Sequence, residues 1–426
     1  MLISGRERNY TIDLLRVIAA FFMACWHWIW LAVFPGEVNG GYWGAYFFNQ
    51  NFSLEGWDWF KGTYTMGFFV FVTGYFMIDG FKRMQAKGEF LDKRKHFMQT
   101  WRFTAKTYVA YAPLMLFGTA LGWIMANIRT GASFLDWIQS LWWNIWQFVG
   151  AAGFGMFQNF QYSGVDAGGL SKYITFYNGP LWYISAFIVG ACIYYAILIR
   201  NEKAAVFVVS PLLFMASNVW LNQWLSAAGT EVEYGITMFI PMDVVRLWGP
   251  LCLGIWGWYL GNAIKNAAMS KKAETLLGIS WVVVLVYVLI TTWTGYLGGM
   301  MNQDIAWGYV AMIALVNRDP VTRGINNALQ KFKPAKLFGD ISAGLYVVHN
   351  PVLMTFAGVC MASFGLTKGG FVYLLIVIAF AVIFMICNKF ILKPVYGKLG
   401  KALHARDKVE VPAYYTAAEA AAQSKG

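Results

Sequence analysis

Charged residues are scarce in this sequence. Asp, Glu, Lys and Arg make up only 13% of the 426 residues, whereas 58% of the residues are apolar. A soluble domain carries about twice that charged fraction. The composition therefore excludes a soluble globular fold and predicts an all-α integral membrane protein.

Cysteines are few, and the common catalytic signature motifs are missing. The five cysteines all lie in apolar runs without a CxxC pair, which is typical of small buried side chains and argues against a disulfide framework. The sequence also has no Walker motif, GxSxG or HExxH. It therefore gives no support to an ATPase, an α/β-hydrolase or a zinc protease, and no metal is expected.

Long apolar runs are what the sequence has in their place. A helix needs about 20 apolar residues to cross a bilayer, and runs of roughly that length predict ten transmembrane helices. The segment 133–157 is rich in Trp and polar residues and lies in a long outer loop, so we expect an interfacial or re-entrant helix there. The ten runs are 12–34, 63–81, 106–127, 180–199, 204–224, 244–262, 275–297, 300–317, 338–363 and 370–392.

The positions of the basic residues predict the orientation of these helices. Lys and Arg concentrate in alternate loops and in the C-terminal tail, so the positive-inside rule places the N- and C-termini in the cytoplasm. The net charge of +12 is then mainly a topological signal, and no nucleic-acid partner is expected. We predict one transmembrane domain over residues 1–395 and a short cytoplasmic tail over 396–426. The basic loops are 82–106, 200–203, 265–272 and 318–336.

The first apolar run carries three ionisable residues at helical spacing. A helix turns about 100° per residue, so Asp13, Arg16 and His27 share one face, with His27 about 16 Å further along the helix than Arg16. A lone histidine in an apolar helix is most often packed and bonded to a backbone carbonyl. Because two more ionisable residues lie on the same face, we instead predict a functional path, with a phosphate-binding guanidinium at Arg16 and a general base at His27.

Two further clusters have both a structural and a functional interpretation. Arg102 and Lys106 lie one helical turn apart in a basic inner loop, and they either mark the cytoplasmic side or anchor donor phosphates. Trp182 and Tyr183 follow Pro180 at the start of the fourth span. This pair either belongs to an interfacial aromatic belt or contacts an acceptor.

The ninth span holds a third cluster. Ser342, Tyr346 and His349 follow one another at about one helical turn and can share a face, and Pro351 locally breaks the hydrogen-bond ladder. A structural histidine bonded within its helix is the more frequent role for His349, and contact with a substrate is the alternative.

Taken together and in order, these segments resemble the acyltransferase-3 family of bacterial integral membrane O-acyltransferases over residues 9–395. Lys106 departs from the family pattern, because the second position of its RxxxR motif is an arginine. The similar segments are Asp13–Arg16 followed by His27, Phe68–Tyr75, Arg102–Lys106, Gly179–Tyr183, Cys252–Gly261 and Ile341–Pro351.

The resemblance implies transfer of an acyl group, usually acetyl, from a cytoplasmic thioester to a sugar hydroxyl of an envelope glycan or its lipid-linked precursor. It also implies a multi-pass protein of the bacterial cytoplasmic membrane. Functional roles carry over to His27, Arg16 and Arg102. The 16 Å between Arg16 and His27 suits acyl-CoA, which has a phosphorylated head and a long arm. Lys106 keeps the charge but loses bidentate phosphate geometry.

These observations together predict a site. His27 acts as a base or accepts the acyl group, and Asp13 orients Arg16 or balances its charge. Arg16, Arg102 and Lys106 bind the donor. The rival hypothesis is a transporter or flippase for a polysaccharide or a lipid-linked intermediate. The sequence shows no internal repeat of the kind that transporters often have. The oligomeric state stays open. Acceptor or structural roles fall to Trp182, Tyr183, Tyr346 and His349.

Overall fold

The computed structural model describes residues 8–33, 65–90, 92–149, 181–217, 242–294 and 300–405. Within these ranges the regular secondary structure is helical, without strands. The longest helix, α11, is broken at Gly365, whose φ of 71° is non-helical. The helices are α1 (Tyr10–Val33), α2 (Met66–Gln85), α3 (His96–Arg129), α4 (Phe134–Val149), α5 (Trp182–Arg200), α6 (202–217, with a π-helical turn at Ala205–Val209), α7 (Met242–Asn266), α8 (Lys271–Thr294), α9 (Met300–Val316), α10 (Pro320–Lys331), α11 (Phe338–Cys387) and α12 (Lys393–Ala402).

Helices cover all or part of each of the ten predicted spans. The two parts of α11 correspond to the last two spans, and the described part of α6 covers the first two thirds of the fifth. The prediction of a helical membrane protein is confirmed, whereas the count of ten crossings and the cytoplasmic termini stay predictions. Within the described ranges, five helical segments are long and apolar enough to cross a bilayer: Tyr10–Trp28, Lys93–Arg129, Lys271–Thr291, Lys333–Cys360 and Lys368–Ala402.

The segment predicted as interfacial or re-entrant does form a helix, α4. It packs against α3, and the Trp123 indole on α3 donates a hydrogen bond to the Ser140 hydroxyl at 2.9 Å. Phe134 and Trp142 are exposed by 81% and 72%. The exposed apolar side of α4 is what a helix lying in the membrane interface would present to lipid.

One helix lies where the sequence predicted only a basic loop. Helix α10 begins after Asp319, whose carboxylate accepts hydrogen bonds from the backbone N–H groups of Val321 and Thr322 at 3.0 and 2.9 Å. Pro320 occupies the first turn, where its missing N–H costs nothing. The Asn326 side chain then accepts a 2.8 Å hydrogen bond from the backbone N–H of Tyr10. Helix α10 thereby holds the start of α1.

The most extensive contact between two helices joins α1 to α11. A Cβ added to Gly339 near the start of α11 would lie 3.4 Å from the Asp13 carboxylate. Ten residues further along α11, His349 lies against His27. The two helices therefore run in the same direction, as first and ninth spans must, and the contact brings both histidines together.

Helices α2 and α7 also pack closely, because each helix has a glycine directly against the backbone of the other. A Cβ at Gly74 would lie 2.5 Å from the Leu251 carbonyl oxygen, and one at Gly254 would run into the Phe71 carbonyl oxygen. Small residues allow helix backbones to approach in this way. Helix α9 packs on the same pair, where Phe68 and Trp307 meet edge to face at 5.3 Å.

Candidate active site

The start of α1 carries a carboxylate between two guanidinium groups. Asp13 binds Arg8 through Nε at 2.6 Å and contacts Arg16 Nη1 at 3.6 Å. The predicted pairing of Asp13 with Arg16 is present, and Arg8 is an addition that the sequence analysis missed. Its signal was a basic residue five positions before Asp13, just outside the apolar run. The three side chains leave one net positive charge, and the Arg16 side chain is still 34% exposed.

The first turn of α11 lies directly over this charged group. A Cβ on Gly339 would be 3.8 Å from Arg16 Nη1, so only a small residue leaves room there. The N-terminal end of a helix carries a partial positive charge. Arg16 therefore lies at a position that favours an anion such as a phosphate.

His27 is buried at the other end of the same face of α1. The ring is 6% exposed, and Nδ1 lies 2.9 Å from the Met23 carbonyl oxygen. A carbonyl only accepts hydrogen bonds, so Nδ1 carries the proton of the neutral ring and Nε2 carries the lone pair. His27 therefore offers Nε2 as its basic atom.

His349 lies directly against His27, although nothing in the sequence pairs them. The ring centroids are 4.8 Å apart, with the planes inclined by 50°. His349 is completely buried, and its Nδ1 lies 2.6 Å from the Tyr346 carbonyl oxygen and 3.2 Å from that of Leu345. Its Nε2 is buried without a hydrogen-bond partner among the described residues. The interpretation of His349 as a structural histidine thus accounts for only one of its two nitrogens.

Two tyrosines complete the surroundings of His349. The Tyr346 ring centroid is 5.8 Å from that of His349 and 6.3 Å from that of Phe69 on α2. The Tyr373 hydroxyl donates to the His349 carbonyl oxygen at 3.2 Å, and its ring stacks on Trp28 at 5.1 Å. Helices α1, α2 and both parts of α11 therefore enclose the two histidines.

Arg102 and Lys106 occupy different environments on α3. Arg102 Nε and Nη1 are buried and have no hydrogen-bond partner within the described ranges, whereas Lys106 is exposed. Helix α3 packs on α5 and α11, and α11 in turn packs on α1. Helix α11 therefore lies beside the helices of both predicted donor-binding groups. The role of either residue in donor binding stays a prediction.

Trp182 and Tyr183 form the first turn of α5, directly after the buried Leu181. Their side chains lie outside the described part of the structure, so their predicted contact with an acceptor stays a prediction. The outer loop from 150 to 180 also lies outside the described residues.

A cavity of about 770 Å³ lies between α1, α8 and α11, alongside the stretch of α1 that separates Arg16 from His27. All of its lining side chains are apolar, including Val17, Phe21, Leu289 and Ile341. Such a cavity offers no hydrogen bond to a phosphate or a sugar, and it suits hydrocarbon. The cavity itself therefore adds no polar side chain to the site.

Comparison with known protein families identifies the family of the chain. A family model described as an acyltransferase domain matches residues 9–388, which include α1, α11 and the whole His27–His349 contact. Comparisons with curated proteins and with solved structures give no match. Because the family model covers nearly the whole chain, the chain belongs to the acyltransferase-3 family.

Proposed function

We propose that the chain is a membrane O-acyltransferase that takes an acyl group, acetyl in the simplest case, from acyl-CoA on the cytoplasmic side. The acceptor is a hydroxyl of an envelope glycan or a lipid-linked saccharide. Membership of the acyltransferase-3 family supports the reaction class. The donor, the acceptor and the location in a bacterial cytoplasmic membrane are part of the proposal.

One observation carries the choice of donor: α1 presents a cation near one end and a buried imidazole eleven residues later. At about 1.5 Å per residue the two groups are about 16 Å apart along the helix. Arg16 is partly exposed beside the start of α11, whereas His27 is buried. A donor with an anionic head and a thioester at the end of a long arm has the same polarity and length.

The proposed chemistry follows from the tautomer of His27. Its Nε2 lone pair takes the proton of the acceptor hydroxyl as the oxygen attacks the thioester carbonyl. The new C–O bond forms, the C–S bond breaks, and the proton ends on the departing thiol. In the alternative, Nε2 attacks the thioester carbonyl itself, and the C–S bond breaks to release the thiolate. The acceptor oxygen then attacks the acyl group, the C–N bond to the imidazole breaks, and the hydroxyl proton passes to the thiolate.

The phosphates of the donor bind at Arg16 and at Arg102, with Lys106 adding charge near the surface. Asp13 holds the Arg16 guanidinium through their 3.6 Å contact. Tyr346 would contact the acceptor beside the histidines, and Trp182 and Tyr183 would meet the acceptor as it arrives from the outer side.

Purified protein in lipid nanodiscs, supplied with radiolabelled acetyl-CoA and an extract of envelope glycans, tests this function. We expect transfer by the wild type and a loss of roughly 10²- to 10⁴-fold in kcat for His27→Gln. His404→Gln is the matched control, because His404 is an exposed residue in the turn after α12. Unchanged turnover by a folded His27→Gln protein would remove His27 from the mechanism.

Mass spectrometry of envelope polysaccharides, with and without the protein, identifies the acceptor and the acyl mass together. Loss of one acyl modification from a defined glycan supports the proposal. An unmodified glycan retained inside the knockout cells, together with absence of transfer in the nanodisc assay, would indicate transport instead.

A further inference from the structure

The contact between His27 and His349 places two neutral imidazoles side by side in the interior of the protein. Their centroids are 4.8 Å apart, and each ring is tied to its own helix through Nδ1. Because the partner of each Nδ1 is a carbonyl oxygen, both protons are on Nδ1. Each ring therefore has its lone pair on Nε2.

The Nε2 of His349 is the feature that packing leaves unexplained. It is buried in a residue that is 0% exposed, and it has no hydrogen-bond partner among the described residues. Enclosing a polar atom without a partner is unfavourable, so such an atom needs a reason to be retained. A phenylalanine would fill a similar volume without that penalty. Across the helix contact, the His349 ring lies against that of His27.

We propose that His349 is a positioning residue that shares with His27 the proton released during acyl transfer; this inference rests on the proposed function. When His27 Nε2 takes the proton of the acceptor hydroxyl, the ring becomes a cation in a buried site. The proton then passes to the Nε2 lone pair of His349, breaking one N–H bond and forming another. It returns through His27 to the departing thiolate, so both histidines end the cycle neutral.

Sharing solves a problem that a single buried imidazole would have. A cation enclosed in an apolar interior is costly unless a partner accepts a hydrogen bond from it. A second imidazole is suited to this because it is neutral before the reaction and can accept a proton at the same kind of atom. Its Nδ1–H stays bonded to Tyr346 O throughout, which holds the ring in place.

Two substitutions at the same position distinguish this role from packing. His349→Phe keeps the volume and removes the lone pair, and we expect roughly a 10²-fold loss of kcat with an unchanged KM for acetyl-CoA. His349→Gln cannot take the proton, but its amide oxygen can accept a hydrogen bond from the His27 cation, so we expect it to recover about tenfold relative to Phe. A packing role predicts the opposite order, because the apolar ring fits a buried site better than the amide does. A turnover rate for His349→Phe that equals or exceeds that of His349→Gln overturns the proposal.

A double-mutant cycle tests whether the two histidines act as one unit. If the proton is shared, adding His349→Phe to His27→Gln should cost little more than His27→Gln alone. Losses that multiply independently would show that His349 acts separately from His27 and would contradict the inference. His404→Gln serves again as the matched control.

Ring-nitrogen NMR of ¹⁵N-histidine-labelled protein gives a readout that needs neither turnover nor a folded Phe variant. We expect His27→Gln to shift the Nε2 resonance of His349, and an unmoved resonance would overturn the pairing. If the wild type transfers no acyl group from any acyl-CoA, the proposed function fails. The NMR comparison still decides separately whether the two imidazoles are coupled.

Discussion

Asp13 lies between Arg8 and Arg16, so its removal should act through Arg16 rather than through the fold. Both ion pairs are partly exposed, and exposed pairs contribute only about 0.2–1 kcal/mol to stability. We expect Asp13→Asn to raise the KM for acyl-CoA roughly tenfold, with little change in kcat, because the guanidinium is no longer held towards the donor. Steady-state kinetics with varied acetyl-CoA measures the split. Arg8→Gln, which leaves Asp13 paired with Arg16, is the control.

A fall in kcat at unchanged KM would assign Asp13 to the chemical step instead. Asp13 also binds Arg8 at 2.6 Å, a contact that the sequence did not predict, so its role is not limited in advance to holding Arg16.

Arg102 and Lys106 should differ in their effect on donor binding, although they are one turn apart. The buried Nε and Nη1 of Arg102 have no hydrogen-bond partner among the described residues. A donor phosphate would supply the acceptor that these two nitrogens lack. Hydrogen bonds to charged groups contribute about 1.5–3 kcal/mol, which corresponds to roughly 10- to 150-fold in affinity. We expect Arg102→Gln to weaken acyl-CoA binding within that range and Lys106→Gln by less than about fivefold. Isothermal titration with a non-hydrolysable acyl-CoA analogue measures both, and equal losses would contradict the distinction.

At the level of whole helices, the contact between α2 and α7 depends on Gly74 and Gly254. Added methyl groups would meet the facing backbone, which cannot move aside as a side chain can. We expect Gly254→Ala to destabilise the protein by about 1–3 kcal/mol, with a lower Tm in detergent. Gly80→Ala on α2 is the matched control, because nothing lies within 4 Å of its new methyl group. There the change should be neutral or stabilising, since alanine favours a helix over glycine.

Glu202 joins the ends of three helices. Its carboxylate accepts hydrogen bonds from Lys82 on α2, from Tyr259 on α7 and from Gln85 on α2. Burial raises the pKa of Glu202, but these hydrogen bonds and the charge of Lys82 outweigh it, so the pKa lies below its ordinary value of 4.5. A carboxyl whose pKa is lowered by folding stabilises the fold above its ordinary pKa.

That stabilisation is lost as the pH falls through the lowered pKa. We expect Glu202→Gln to lower the Tm at pH 7, and we expect the difference from the wild type to shrink as the pH falls below about 4.5. Thermal unfolding of both proteins across this range is the measurement. A Tm difference that persists undiminished at pH 3 would show that Glu202 acts by shape rather than by charge.

For the helices, the sequence predicted where each one lies along the chain better than it predicted which helices pack against each other. Long apolar runs predicted α1 and α11, because a helix that crosses a bilayer must consist mainly of apolar residues. Helix α10 was missed because its polar surface resembles a loop, although Asp319 and Pro320 form a capping signal. The shared face of Asp13 and Arg16 follows from helical geometry alone. The contact of His27 with His349 does not, because periodicity fixes which residues share a face but not which helix that face meets.

Across the whole molecule, ion pairs join the ends of helices that the sequence predicts to meet at the cytoplasmic side. Lys82 binds Glu202, and Arg318 binds Glu274 at 3.1 Å. Arg318 also donates to carbonyl oxygens at the end of α7, including that of Ile264 at 2.7 Å. The Asn9 side chain, just before α1, donates to the Ala314 carbonyl oxygen near the end of α9 at 2.7 Å. The starts of α1, α6 and α8 thus lie with the ends of α2, α7 and α9, which is the alternation of directions that ten spans require. Arg16 belongs to the same end.

Site-directed thiol labelling tests this topology. We expect Lys272→Cys, exposed in the first turn of α8, to react with a membrane-impermeant maleimide only in inverted vesicles. Ser133→Cys, exposed in the turn before α4, should react only in intact spheroplasts. The cysteines of the native chain are buried or half-buried, which keeps the background low, and the parent protein is the control. Labelling of both positions from the same side would mean that the chain between them, which holds α4 to α7, crosses the bilayer an even number of times. Arg16 and the predicted donor site would then need a new assignment of sides, because the charge alternation that places them in the cytoplasm would have failed.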